Sequence, residues 1–333
     1  MHDVISLFTG IGGMDMGFGG RVVVHKESIA TTSLIERRHD IEDFVELKPT
    51  NYRIVLQNDI MEGAKEVCQF NKTDHNYIVK SIRDVLDDAS FEFPRADVVI
   101  GGFPCQTFSI AGKREGFNSD RGTLYKCFVE VVDRVKPKVF VAENVRGLLT
   151  IPGAIDQVVS DFKELGYDVQ YELIDCTEFG IPQTRKRVII MGARNDVELP
   201  EHWNIIDTNK TMCAVKHYFK HLAEPHEIDD TAHKSYSLAK KLLKGQGQNQ
   251  INEEGFAPTM RAEHHGNIEF RHTDRRLSVR EAGLIQTFPP DFIFNKKKNL
   301  RAYKYIGNAV PPLLAYLIAH KVSHILQFFR PLE

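Results

Sequence analysis

The chain has 333 residues, 42% of them hydrophobic and 26% charged, with a formal net charge of −2. That length holds one large domain with a sizeable core and a smaller domain beside it, and the composition is that of an ordinary globular protein. The charge balance excludes a uniformly basic nucleic-acid coat. No apolar run is long enough to cross a bilayer and the first residues lack a secretory pattern, so a cytoplasmic protein with no membrane partner is expected. Five widely spaced cysteines without a Cys-x-x-Cys pair argue against a disulfide framework and a zinc site, so no metal is expected.

In chain order, residues 3–8 read as a short apolar strand. A glycine turn follows, Thr9-Gly10-Ile11-Gly12-Gly13, and Met14, Met16 and Phe18 suggest the start of a helix. Such an edge suits a nucleotide-type ligand, although many glycine turns are only structural. Residues 19–52 show no sustained period and read as an insertion. Residues 53–57 form a second strand ending in Asn58-Asp59, where a carboxylate can accept ribose hydroxyls, at a longer spacing from the turn than the roughly 20 residues usual in dinucleotide folds. Further strands are expected at 77–82, 98–100, 138–142, 168–173 and 187–191, with a helix over 123–135. Strands alternating with helices predict an α/β fold, a mostly parallel doubly wound sheet, over residues 1–195.

Composition changes near residue 195. Residues 196–270 are polar, hold seven of the fourteen histidines and read as a second, smaller domain. From Arg271 to Lys304, nine basic residues stand against three acidic ones, either a solvated face or a phosphate-contacting stripe. Residues 311–329 return to a helical apolar pattern that predicts packing onto the first domain.

Three groups fall at predicted strand ends. Phe103-Pro104-Cys105-Gln106 sets a thiol on a stiff turn after a buried strand and two glycines. Glu143 follows the fifth strand, and Arg185 and Arg187 flank another. Singly these read as an inert cysteine, a helix cap and a solvated run. Together they suggest a nucleophile, a proton donor and cationic orienters around one reacting ring.

Six motifs in order resemble the bacterial cytosine-5 DNA methyltransferases of restriction–modification systems. They are Phe8-Thr9-Gly10-Ile11-Gly12-Gly13, Gly102-Phe103-Pro104-Cys105-Gln106, Glu143-Asn144-Val145, Gln183-Thr184-Arg185-Lys186-Arg187, Arg276-Leu277-Ser278-Val279-Arg280-Glu281 and Gly307-Asn308-Ala309-Val310. The resemblance implies the S-adenosylmethionine-dependent methyltransferase fold and S-adenosylmethionine as cofactor. It implies that Cys105 adds to carbon 6 of a flipped cytosine, that Glu143 meets N3 and the exocyclic amine, that Arg185 meets O2, and that Arg187 holds the site together. Cofactor contacts would come from Phe8, Thr9, Gly10, Ile11, Gly12, Gly13, Asp59, Ile60, Ser81, Ile82, Gly102, Pro104, Leu124, Asn308, Ala309 and Val310. Ile60 and Ser81 depart from the aromatic and the aspartate common there.

Double-stranded DNA is the implied partner. Gln106, Ser109, Lys113, Arg121, Asn144, Thr259, Arg261 and Arg276 would contact it, and a mobile loop at 111–123 would close over the flipped base. Domains are expected at 1–195 (catalytic, with the 19–52 insertion), 196–290 (target recognition) and 291–333 (returning to the catalytic domain). The resemblance also leaves room for a cognate restriction endonuclease, a nucleoid location and a monomeric chain. Three other readings stand beside it. One is a tRNA cytosine-5 methyltransferase, disfavoured by the long variable segment. The second is a catalytically dead relative, disfavoured by intact Cys105, Glu143 and Arg185. The third is a nicotinamide oxidoreductase, which leaves the cysteine and arginine motifs unexplained.

Overall fold

The computed structural model describes residues 1–104, 123–196, 203–206, 209–236, 251–262, 275–294 and 301–329. The first apolar run forms β1 (His2–Leu7), and the glycine turn delivers the chain into α1 (Gly13–Gly19). Residues 19–52 are not featureless. They hold β2 (Val23–His25), β3 (Ile35–Arg38) and β4 (Phe44–Leu47), an antiparallel sheet in the order β2–β4–β3. Strands of three and four residues are too short for alternation to register, and the β3–β4 ladder slips between Ile35 and Arg37.

The chain then runs through β5 (Tyr52–Asp59), α2 (Glu62–Phe70), β6 (Tyr77–Val79), α3 (Ile82–Asp87) and β7 (Val98–Gly101). It continues with α4 (Thr123–Val135), β8 (Val139–Val145), α5 (Ala154–Glu164), β9 (Tyr167–Asp175), β10 (Gln183–Thr184) and β11 (Lys186–Arg194). The main sheet has seven strands in the order β6–β5–β1–β7–β8–β11–β9. Pairings from β6 to β8 are parallel, and β11 is antiparallel to both its neighbours. The mostly parallel α/β sheet is therefore present, with an antiparallel end.

Short elements follow: α6 (Val215–Phe219), α7 (Thr231–Lys234), β12 (Ala257–Pro258), α8 (Val279–Ile285) and α9 (Ala302–Asn308), then the longer α10 (Pro312–Leu326). β12 pairs in parallel with β10. A reciprocal capping box between Ser278 and Glu281 starts α8.

Side chains alternate between the faces of a strand, so β8 feeds two cores. Val139 and Val141 join α1 and α10, while Phe140 and Ala142 join α3, α4 and α5. A third core gathers residues from Cys213 to Ile306 around Ile11, Met16, Phe44 and Val67. The stretch Ala302–Phe329 is apolar enough for a membrane span by length and composition, yet α10 lies in the core along α1, with Leu313, Leu317, Ile318 and Val322 at most 1% exposed.

The insertion ties these parts together. Ser28 Oγ donates to the Gly180 carbonyl (2.6 Å) and meets the Tyr218 hydroxyl (2.8 Å). Asn209 donates to the Ser28 carbonyl and accepts from the Ala30 amide. Phe44 and His25 pack against Tyr218.

Candidate active site

β1, β5, β7 and β8 end along one edge of the sheet, where open α/β folds bind their ligands. A cavity of about 820 Å³ opens there, lined by Phe8, Asp59, Gly102 and Glu143 from those strand ends, among others. Phe8 has φ +54°, a left-handed conformation that is costly for an aromatic residue and typical of strained functional turns. Gly12 takes φ +77° and caps α1, and Gly13 passes so close to α10's entry that a Cβ would lie 2.3 Å from the Val310 carbonyl. The turn is thereby locked to the C-terminal motif. Asp59 accepts the Gly10 amide (2.8 Å) and the Met61 amide (3.0 Å), and burial pushes its carboxyl above the usual range. Beside it Ile60 is 71% exposed, an uncovered apolar side chain on the cavity rim.

The acid–base end of the cavity is set by strand register. Glu143 pairs with Ile189, so Arg187, two residues back on β11, is its diagonal neighbour on the same face. Arg187 Nε lies 2.8 Å from Glu143 Oε1 in a nearly buried pair, but out of line, and neither atom has a hydrogen-bond partner among the described residues. Buried groups of this kind normally find partners. Both residues line the cavity, so their unmet capacity is available to a ligand there.

Arg185 lines the same cavity. It is 1% exposed and donates to the Met260, Gly307 and Ala309 carbonyls at 3.2, 3.1 and 3.0 Å. Burial, reinforced by neighbouring Arg187, lowers its guanidinium to about 9, so it stays charged at neutral pH. Arg185 thus braces three carbonyls while Arg187 stands by the carboxylate, and both line the cavity.

Of the other expected cofactor residues, Thr9, Gly10, Ser81, Ile82, Pro104, Leu124, Asn308, Ala309 and Val310 line the same cavity. Ile11, Gly12 and Gly13 are buried behind it. Cys105 lies outside the described residues, as do Gln106, Ser109, Lys113, Arg121 and the loop at 111–122; Pro104, the last described residue before Cys105, is exposed on the cavity. Asn144 is buried and lines the cavity, and its amide donates to the Phe103 carbonyl (3.2 Å). Thr259 donates to the Thr184 carbonyl (2.6 Å), and Arg261 is exposed.

The expected phosphate stripe is corrected in part. Arg275 is buried in a bidentate pair with Glu281 (2.9 Å twice), Arg280 is buried against Asp230, and Arg276 is 9% exposed. All three arginines are mostly buried, and Arg276 Nε has no hydrogen-bond partner among the described residues. Their place in a run of charges concealed this, because net charge along the chain carries no information on which side chains point inward. Arg301 and Lys304 are exposed, and Lys304 lines the cavity; Arg271 and Lys296 to Lys298 lie outside the described residues. Tyr305 is a lining residue without a sequence signal of its own.

A doubly wound sheet with a glycine turn, a carboxylate and a Glu–Arg pair converging on one cavity defines a methyltransferase of the α/β class. Residues 2–324 match the family C-5 cytosine-specific DNA methylase, and the chain belongs to that family. It is 32% identical to the Type II methyltransferase M.BspRI of Lysinibacillus sphaericus, over 96% of this chain and 81% of that one. It is 29% identical to M.BsuRI of Bacillus subtilis, over 97% and 79%. Among solved structures it resembles S. pombe Dnmt2 methyltransferase (TM-score 0.67, 16% identity, 98% of this chain and 99% of that one) and Entamoeba histolytica methyltransferase EhMeth (0.65, 17%, 99% of each), which shows a shared fold. The chain is a DNA cytosine-5 methyltransferase, and DNA is its partner.

Proposed function

We propose that the enzyme methylates a cytosine flipped out of a specific duplex sequence, with Cys105 as nucleophile and S-adenosylmethionine as methyl donor. The observation that carries this reading is the Glu143–Arg187 pair, buried at the cavity with hydrogen-bonding capacity unmet. A pyrimidine needs such a pair: a carboxyl group for N3 and the exocyclic amine, and a cation for the carbonyl O2.

The cavity fits the cofactor. Strained Phe8, the close backbone of Thr9 and Gly10 and uncovered Ile60 beside Asp59 suit an amino acid joined to a nucleoside. Asp59 would accept the ribose hydroxyls, Ile60 would cover the adenine, and Ser81, Ile82, Pro104, Leu124 and Asn308 to Val310 would enclose the rest. When bound, the cofactor supplies an electrophilic methyl group on a sulfonium.

The Cys105 thiolate forms a bond to carbon 6, which breaks the ring's aromaticity and leaves carbon 5 electron-rich. Glu143 holds N3 and the amine, and Arg187 offsets charge developing at O2. After methylation carbon 5 loses its proton, the Cys105–carbon 6 bond breaks and the electron pair returns to sulfur. Residues 196–290 would supply target recognition, with Thr259 and Arg261 beside Gln106, Ser109, Lys113 and Arg121 at the DNA, and 291–333 would return to the catalytic domain. A monomer in the cytoplasm, at the nucleoid, with a cognate endonuclease encoded nearby, completes the reading.

A duplex carrying 5-fluorocytosine at the target tests it, because fluorine at carbon 5 cannot leave as a proton. With S-adenosylmethionine the wild type should form a complex that survives denaturation, and Cys105→Ser should form none. An active enzyme that gives no such complex excludes the thiol step.

A further inference from the structure

The cavity wall at Gly307–Val310 is held from behind by side chains that the reaction does not use. Gln183 and Gln286 are both fully buried. Gln183 Oε1 accepts the Met260 amide at 2.9 Å, and Gln183 Nε2 donates to Gln286 Oε1 at 2.6 Å. Gln286 Nε2 donates in turn to the Ala309 carbonyl at 2.5 Å. An unbroken run of hydrogen bonds thus joins the end of β12 to a residue that lines the cavity. The neighbouring backbone is close as well, since a Cβ on Gly307 would lie 2.3 Å from the Arg261 backbone. Thr287, next to Gln286, is held at φ +65°, an outlying conformation for a β-branched residue, and its hydroxyl accepts the Leu313 amide at 3.1 Å. This strained turn fixes where α8 ends and where Gln286 points.

We propose that Gln286, acting through Gln183, is a positioning residue that couples occupancy of the cavity to the pose of Thr259–Met260, and so to DNA recognition. The proposal rests on the reading of the cavity as the cofactor site and of residues 259–261 as facing DNA. Buried amides have no water to exchange partners with, so a movement of Ala309 must be followed along the run or break it. By linkage, DNA binding tightens the ligand by the same factor by which the ligand tightens DNA.

Amide hydrogen exchange with S-adenosylhomocysteine as probe tests this in the whole protein, without DNA and without turnover. In the wild type, saturating probe should slow exchange at the Met260 amide by about tenfold, within the usual range of such couplings. In Gln286→Met, which keeps the side chain's length but neither hydrogen bond, the slowing should vanish, while the probe's Kd by calorimetry stays within about threefold, less than one such coupling. Probe binding to the wild type with no change at Met260 overturns the coupling alone, as does slowing that survives in Gln286→Met. Failure of the probe to bind the wild type overturns the cofactor reading, and the coupling with it. The wild-type arm depends on no variant folding.

Discussion

The cavity has two walls built by different means. One is made by the ends of β1, β5, β7 and β8, where the ladder of the sheet fixes the backbone and Phe8, Asp59 and Glu143 project from it. The other is made by residues 307–310, which belong to no large sheet and are tied to the Met260 segment by side chains bonded to carbonyls: Arg185 to Met260, Gly307 and Ala309, and Gln286 to Ala309. In the first wall a side chain can be removed and the geometry stays. In the second the side chains are the geometry. Arg185 and Arg187, two residues apart, fall on opposite sides of this division.

The sharpest way to break the comparison is to truncate each arginine in turn. Arg187→Ala should lower kcat about 10³-fold, the scale for losing a donor aimed at developing charge, with cofactor affinity nearly unchanged and a smaller loss of stability than Arg185→Ala, since Glu143 is left without its cation. Arg185→Ala should lower stability to denaturant by about 4 kcal/mol, because it opens a cavity and takes the donor from the Met260 and Gly307 carbonyls. Arg185→Lys should recover little of that, since one ammonium cannot reproduce the planar fork. Equal losses of stability in Arg185→Ala and Arg187→Ala would erase the distinction.

The same division decides what can be read from residues alone. The sheet and its ligand edge are visible because apolar runs, glycine turns and acidic strand ends are local signals; Asp59 and Glu143 stand where those signals put them. The second wall is visible only in part. Asn308, Ala309 and Val310 line the cavity as their motif implies, but the hold that Gln183 and Gln286, both fully buried, have on that wall is not legible in spacing. Arg275, Arg276 and Arg280 look like a solvated or phosphate-binding run until Glu281 and Asp230 are seen to neutralise Arg275 and Arg280 inside the fold. Long-range pairing of this kind leaves no trace in spacing. The insertion shows a third limit, since strands of three or four residues fall below the window in which a period can be counted.

That insertion extends the comparison to a smaller effect, its dependence on pH. His25 is buried against His217 (ring centroids 5.0 Å apart), with Lys26, Asp43 and His221 also near it. Burial first, and then repulsion from His217, lowers its imidazole from 6.5 to about 4. Between those two values the unfolded chain holds the proton and the folded chain does not, so stability is complete above 6.5 and falls as the pH drops toward 4. The loss attributable to His25 is at most about 3 kcal/mol. Urea unfolding of the wild type and of His25→Gln at pH 7 and pH 4.5 isolates it: the variant should lose less on acidification. An identical pH response in the two proteins would remove His25 from the account.

The smallest effect asks whether the insertion supports the second wall as the buried polar side chains do. Ser28 Oγ joins the Gly180 carbonyl, just ahead of β10, to the Tyr218 hydroxyl of α6. Ser28→Ala leaves that carbonyl without its donor and that hydroxyl without its partner, at a cost of about 1–2 kcal/mol. Because the lost link joins the strand before Arg185 to the target segment, the change should also raise KM for DNA by a few-fold, on the order of the same free energy, and leave cofactor affinity alone. Equilibrium unfolding and steady-state kinetics on one preparation decide it. A stability loss with KM for DNA unchanged would make the insertion a support for the fold only and confine control of the second wall to Arg185, Gln183 and Gln286.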